Sequence, residues 1–117
     1  MKTEAGTDRV IPIADKILPL VKNRYDANRR FLVNNKYGNH YTYGSYVSAN
    51  FNTVMNKLNM KHLPHDGRHT FASLMDDAGA NEVCIKLIMG HSMKNNVTKG
   101  VYTHKTTQQL IDEVNKI

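Results

Sequence analysis

Three short clusters hold the residue types that can act on an oxyanion such as a phosphate. They are His65-Asp66-Gly67-Arg68-His69, Met89-Gly90-His91-Ser92 and Val101-Tyr102-Thr103-His104. An arginine is a permanently charged, forked donor, a histidine can exchange a proton, and a tyrosine phenol can serve as a nucleophile. Each cluster alone also has a purely structural interpretation, because Gly-His pairs often end helices and most tyrosines are packing residues. The chemistry must therefore be sought in the three clusters together.

The elements around the first two clusters are predicted to be helices. One helix is expected to begin at Pro64-His65-Asp66 and to end at Gly79. Since His65 and Arg68 are three residues apart, both lie on one face of this helix. A second helix is predicted over 81–89, and it stops at Gly90, immediately before His91.

The rest of the chain is predicted to be mostly helical, with a little β-structure at its start. Residues 2–13 resemble the second half of a β-hairpin, with a turn followed by a β-branched run that Pro12 ends. A helix is expected over 14–25, shortened or kinked by Pro19, and another over 46–58, starting after the capping residue Ser45. A last helix is expected from about Thr106, with an apolar stripe of Leu110, Ile111, Val114 and Ile117. The predicted fold class is mainly α with a small β element near the N-terminus.

Composition suits one compact domain spanning 1–117, since 40% hydrophobic residues in 117 can bury a single core. The formal net charge of +6 favours a polyanionic partner, although a ribosomal protein or a binder of anionic membranes is also consistent with it. The lone Cys84, among apolar residues, predicts a buried thiol in a reducing cytoplasm. Because no apolar run approaches the roughly 18 residues that cross a bilayer, no membrane partner is expected.

The order His-x-x-Arg, Gly-His, Tyr resembles the signature of the tyrosine recombinases, or phage integrases. The segment 65–73 is similar to the family's Arg-His-Thr-Phe-Ala-Ser helix, and Met89-Gly90-His91-Ser92 to its Leu-Gly-His-Ser turn. Lys2 resembles the family's β-hairpin lysine. The turn after it and the run Arg9-Val10-Ile11-Pro12-Ile13 resemble the strand that follows this lysine in the family. The resemblance covers nearly the whole chain and implies the C-terminal part of a recombinase catalytic domain, truncated at its N-terminal side.

The resemblance implies site-specific recombination through a 3′-phosphotyrosyl intermediate. Tyr102 would be the nucleophile, and Arg68 and His91 would donate to the phosphate oxygens. His65 would orient or accept the tyrosine proton, and Lys2 would protonate the leaving 5′-oxygen. Neither a cofactor, a metal nor a small-molecule substrate is implied. The expected partner is double-stranded DNA, on which family members commonly form tetramers, in a bacterial or phage-encoded, cytoplasmic, nucleoid-associated setting.

Two departures from the family pattern qualify these expectations. The family uses a further arginine upstream of the hairpin, and only Met1 precedes Lys2 here, so the chain is expected to bind DNA but to cleave it poorly or not at all. The eleven-residue step from His91 to Tyr102 is slightly longer than usual, which leaves the resting position of Tyr102 open. In the family the last helix often docks on a neighbouring protomer, so loose packing of that helix is expected.

Three alternatives remain. The chain can be a non-catalytic, basic DNA-binding fragment of an incomplete integrase, or it can resemble a type IB topoisomerase, which shares the chemistry. A zinc site built on His65 and His69, with His62 and His91, is disfavoured because Arg68 would repel a cation and the Glu of the protease motif is absent. Replacing Tyr102 by Phe separates an enzyme from a binding module, since only the enzyme loses covalent attachment to DNA.

Overall fold

A computed structural model describes residues 6–91 and 105–117, and within these ranges the chain is helical without any β-strand. In chain order the elements are α1 (Leu18–Arg24), α2 (Tyr43–Tyr46), a π-helical segment (Val47–Phe51), α3 (Asn52–Lys57), α4 (Asp66–Asp77), α5 (Glu82–Met89) and α6 (Thr107–Val114). The chain divides into two compact units. The first contains residues 6–17, 68–91 and 105–117 of the described chain, and the second contains residues 18–67. The mainly α class is confirmed.

The small β element predicted near the N-terminus is not seen in the described residues 6–13. A strand exists only through backbone hydrogen bonds to a neighbouring strand, and no described segment provides that neighbour. Pro12 also lacks the N–H that a ladder would need. The segment is held instead by side chains, because Ala14 is buried in the core and the Arg9 side chain donates a hydrogen bond to Ile88.

The core of the first unit is assembled from four segments of the chain, namely the N-terminal segment, α4, α5 and α6. Its buried members are Ala14, Met75, Cys84, Ile88, Leu110 and Val114. Met75 of α4 has no exposed surface and Cys84 of α5 retains 2%. Burial of apolar side chains is the main favourable term in folding, so these contacts hold α4, α5 and α6 together with the N-terminal segment. The predicted buried thiol of Cys84 is confirmed.

Helix α5 has a cap at each end, and it stops at Gly90 as predicted from the sequence. The Asn81 side chain accepts hydrogen bonds from the backbone N–H groups of Val83 (2.9 Å) and Cys84 (3.2 Å). Gly90 adopts the left-handed conformation (φ 72°, ψ 29°), and the next N–H, of His91, donates to the Lys86 carbonyl over 2.9 Å. This is the hydrogen-bond pattern of a Schellman motif, which fixes the direction of the chain as it enters His91.

Helix α6 begins at a capping box. Thr106 accepts from the N–H of Gln109 (3.1 Å), and the Gln109 side chain accepts from the N–H of Thr106 (2.8 Å). Leu110 and Val114 are 7% and 4% exposed and belong to the core of the same chain. The expectation of a loosely packed last helix was therefore wrong, because the apolar stripe completes the core of the first unit.

The second unit is formed by α1, α2, the π-helical segment and α3, with the connecting loops. Helix α1 is shorter than the predicted 14–25, and Pro19 lies in its first turn, where a missing N–H costs no hydrogen bond. The helix expected over 46–58 starts earlier, since Thr42 rather than Ser45 is the N-cap and accepts from the Ser45 N–H over 3.2 Å. No residue of 18–67 is fully buried.

Candidate functional site

Arg68 lies in the first turn of α4 and binds the end of α5. Its Nη2 donates a hydrogen bond to the backbone carbonyl of Met89, the last residue of α5. The last carbonyls of a helix lack partners within the helix and form the negative end of its dipole. The positively charged guanidinium of Arg68 is thus well suited to the end of α5. There it lies beside the turn that leads to His91.

His91 is exposed at the surface directly after Gly90. Its pKa is lowered from the ordinary histidine value, first by partial removal of the ring from solvent, then by the positive charges of Arg68 and Lys86. These influences favour the neutral imidazole, which carries one N–H donor. Arg68 and His91 therefore place a charged donor and a neutral donor close together, an arrangement that can bind an anion with more than one oxygen.

Arg9 is a third basic residue at the same helix end, and sequence reasoning treated it only as part of a strand. Its Nε donates to the carbonyl of Ile88 (3.1 Å), and its Nη1 donates to the carbonyl of Gly6 (3.1 Å). Arg9 and Arg68 thus bind consecutive carbonyls, those of Ile88 and Met89. A contact between positions 79 residues apart leaves no local signal in the sequence.

The places predicted for the other site residues remain predictions. His65 immediately precedes α4 and belongs to the unit of residues 18–67, so its predicted place in a site with Arg68 and His91 stays a prediction. Lys2 and Tyr102 lie outside the described residues, and the roles predicted for them also remain predictions.

Residues 6–91 and 105–117 contain no group of three or more His, Cys, Asp or Glu side chains placed to hold a metal ion. His62 instead pairs with Asp66, with 3.3 Å between Nδ1 and Oδ2. Within the same ranges, every helix is too short or too polar to cross a membrane.

Comparison with known proteins identifies the family. Residues 1–109 match the profile of the phage integrase family, and because this match covers most of the chain, the protein belongs to that family. A tyrosine recombinase of Thermosipho africanus (strain TCF52B) is 27% identical over 112 residues, which cover 94% of this chain and 39% of the relative. The resemblance inferred from the three motifs is thereby confirmed.

Two further relatives are similar at the same level. The tyrosine recombinase XerC of Chlorobaculum tepidum is 27% identical over 122 residues, covering 92% of this chain and 36% of the relative. The transposase from transposon Tn916 of Enterococcus faecalis is 27% identical over 140 residues, covering 99% and 32%. The chain thus spans 32 to 39% of the length of these relatives. No solved structure matches the chain significantly.

Proposed function

We propose that this chain is the C-terminal portion of a tyrosine recombinase catalytic domain and acts in site-specific DNA recombination, as in integration or excision. The observation that carries the proposal is the proximity of Arg68 and His91 at the end of α5. These are the residues that match the family's His-x-x-Arg and Gly-His motifs. The membership of the phage integrase family and the net charge of +6 also support a DNA partner.

The first role in this proposal is binding of the scissile phosphate. Arg68 and His91 donate to its non-bridging oxygens, where negative charge grows in the transition state. A guanidinium has five N–H donors, so the hydrogen bond to Met89 is compatible with further bonds to a phosphate. The bond to Met89 also holds the guanidinium in one orientation before DNA arrives, which lowers the cost of organising the site.

The chemical step assigns roles to the remaining predicted residues. The phenol oxygen of Tyr102 forms a bond to phosphorus while the bond from phosphorus to the 5′-oxygen breaks. The phenol proton passes to His65, and Lys2 protonates the leaving 5′-oxygen. The covalent 3′-phosphotyrosyl bond retains the phosphate, so that a second 5′-hydroxyl can reverse the step and rejoin strands. These three assignments rest on the motif match.

The proposal extends to assembly. Assembly of four protomers on two DNA duplexes follows from the resemblance alone, and mass photometry of the protein with and without duplex DNA measures it.

The experiment combines DNA binding with trapping of the covalent intermediate. Fluorescence anisotropy on duplex DNA should give an affinity that falls steeply as the salt concentration rises. The reason is that Lys and Arg side chains that bind phosphates release counterions from the DNA. Nicked suicide duplexes that differ in their core sequence should trap a covalent protein–DNA adduct. A denaturing gel detects this adduct. Tyr102→Phe should abolish the adduct and leave the affinity unchanged.

Each other outcome of this experiment favours a different function. Salt-sensitive binding without any adduct, even at long incubation, supports the non-catalytic DNA-binding alternative. Relaxation of supercoiled plasmid without site preference supports chemistry like that of type IB topoisomerases. An adduct that persists in Tyr102→Phe contradicts the assignment of the nucleophile.

A further inference from the structure

We infer that Arg9 is a positioning residue: its guanidinium holds the turn at Gly90, and thereby presents His91 to the phosphate. The part of this inference that concerns phosphate rests on the proposed function. The part that concerns the turn rests on the contacts of Arg9 alone.

The guanidinium of Arg9 packs directly against the backbone of Gly90. Its Nη1 lies only 2.6 Å from the point that a Cβ on Gly90 would occupy, and its Cζ lies 3.1 Å from that point. The Cα of Gly6 is 3.0 Å away from the same point. Residue 90 is therefore in close contact with Arg9 and its neighbouring segment, and a side chain at this position would have to displace the Arg9 guanidinium.

Two hydrogen bonds keep Arg9 in that position. Nε donates to the Ile88 carbonyl in the last turn of α5, and Nη1 donates to the Gly6 carbonyl in the N-terminal segment. One planar group thus joins the N-terminal segment to the carbonyl two residues before Gly90. A lysine is a point charge on a flexible chain and cannot reproduce this forked geometry.

His91 is the next residue, and its backbone is already fixed by the hydrogen bond of its N–H to Lys86. With Arg68 on Met89 and Arg9 on Ile88, the last turn of α5 is anchored from two separate parts of the chain. The contacts of Arg9 are with the backbone that leads to His91, at the Ile88 carbonyl and at Gly90. The effect inferred for Arg9 is therefore on the position of the imidazole.

The structure provides a matched control for the contact at Gly90. Gly79 ends α4 with the same φ of 72°, yet a Cβ added there would meet nothing within 4 Å. Alanine at either position carries the strain of the left-handed conformation. Only at position 90 does alanine also collide with the guanidinium of Arg9.

The first test is a pair of double-mutant cycles measured by urea unfolding. Gly90→Ala should lower the urea midpoint more than Gly79→Ala does. In the Arg9→Ala background this excess should largely disappear, so that Arg9 and Gly90 are coupled while Arg9 and Gly79 are additive. Equal effects at the two glycines, or additivity in both cycles, would overturn the inference.

A second measurement does not need a folded Gly90→Ala variant. It reports whether His91 is placed to bind phosphate. Inorganic phosphate is titrated into the protein while the His91 ring signals are followed by NMR. Arg9→Ala should weaken the binding of phosphate at least several-fold, and Arg9→Lys should restore it only in part. Arg29→Ala removes the same charge from an exposed side chain and should change nothing. Unchanged phosphate affinity in Arg9→Ala overturns the positioning role.

The two measurements separate this inference from the proposed function. If phosphate does not perturb His91 in the wild-type protein, the proposed phosphate site is wrong, and the cycles at Gly90 and Gly79 still decide whether Arg9 holds the turn. If phosphate binds but the cycles are additive, the proposed function stands and the inference about Arg9 fails.

Discussion

A hydrogen bond from the guanidinium of Arg68 to the carbonyl of Met89 joins the first turn of α4 to the last turn of α5. The bond crosses between two helices whose buried residues, Met75 and Ile88, belong to one core. The position of the arginine is therefore set by the packing of the helices, and the arginine in turn brings a positive charge close to His91.

Removal of that charge should raise the pKa of His91. In Arg68→Gln the imidazolium is no longer opposed by the guanidinium, so protonation of His91 becomes easier. Lys86→Gln should raise the pKa by a smaller amount, because the influence of Lys86 is the weaker one. NMR titration of the ring protons measures both, with Arg29→Gln as a control that should leave the curve unchanged. A lower or unaltered pKa in Arg68→Gln would refute the electrostatic contact.

The lowered pKa of His91 also predicts the sign of a pH effect on stability. The folded chain binds this proton less readily than the unfolded chain, whose histidines titrate near pH 6.5. The contribution is therefore fully present above that pH and is lost progressively as the pH falls from there through the lower pKa of the folded state. His91→Gln should show a smaller loss of unfolding free energy than the wild type between pH 7.5 and about 5.5 in urea titrations. A steeper loss in the variant contradicts the prediction.

Met75→Ala should severely destabilise the protein, whereas Leu74→Ala should not. Met75 has no exposed surface and lies in the core cluster, so its truncation leaves a cavity and costs about 2–5 kcal/mol. Leu74 is the adjacent residue in α4 and is 48% exposed, so its replacement should stay within about 0.5 kcal/mol. Chemical denaturation of both variants provides the comparison, and similar losses would show that α4 faces a different way.

Thr106→Ala should remove about 1 kcal/mol of stability through loss of the cap of α6. The hydroxyl accepts from the Gln109 N–H, and alanine leaves that donor without its partner. Thr106→Ser keeps the hydroxyl and should retain most of the stability. Because Leu110 and Val114 of α6 lie in the core, the loss should appear in global unfolding and not only in helix fraying. Equal stability of the alanine and serine variants would argue against the capping box.

The thiol of Cys84 should be inert in the folded protein. Burial raises its pKa, so little thiolate forms at neutral pH, and only 2% of the residue is exposed. A thiol reagent such as dithionitrobenzoate should react at the rate of unfolding and should react rapidly in urea. The chain has one cysteine, so the signal belongs to Cys84 alone. Rapid reaction without denaturant would mean that α5 does not pack as described.

The sequence by itself determined several features that depend on near neighbours, although it misplaced the cap at Thr42. Asn81 and Gly90 bound α5, and Thr106 starts α6, because each cap is formed with residues a few positions away. The family was also readable from the sequence, since it rests on short motifs around Arg68 and His91 in a fixed order.

Only the tertiary structure decided what depends on distant partners. The run after Arg9 has the composition of a strand, but a strand needs a neighbour, and the described chain uses Arg9 to bind Ile88 instead. The apolar stripe of α6 was visible, but it did not indicate whether Leu110 would face another protomer or its own core. Burial and hydrogen bonds between remote segments depend on how helices pack, and local residue patterns do not encode the choice of partner.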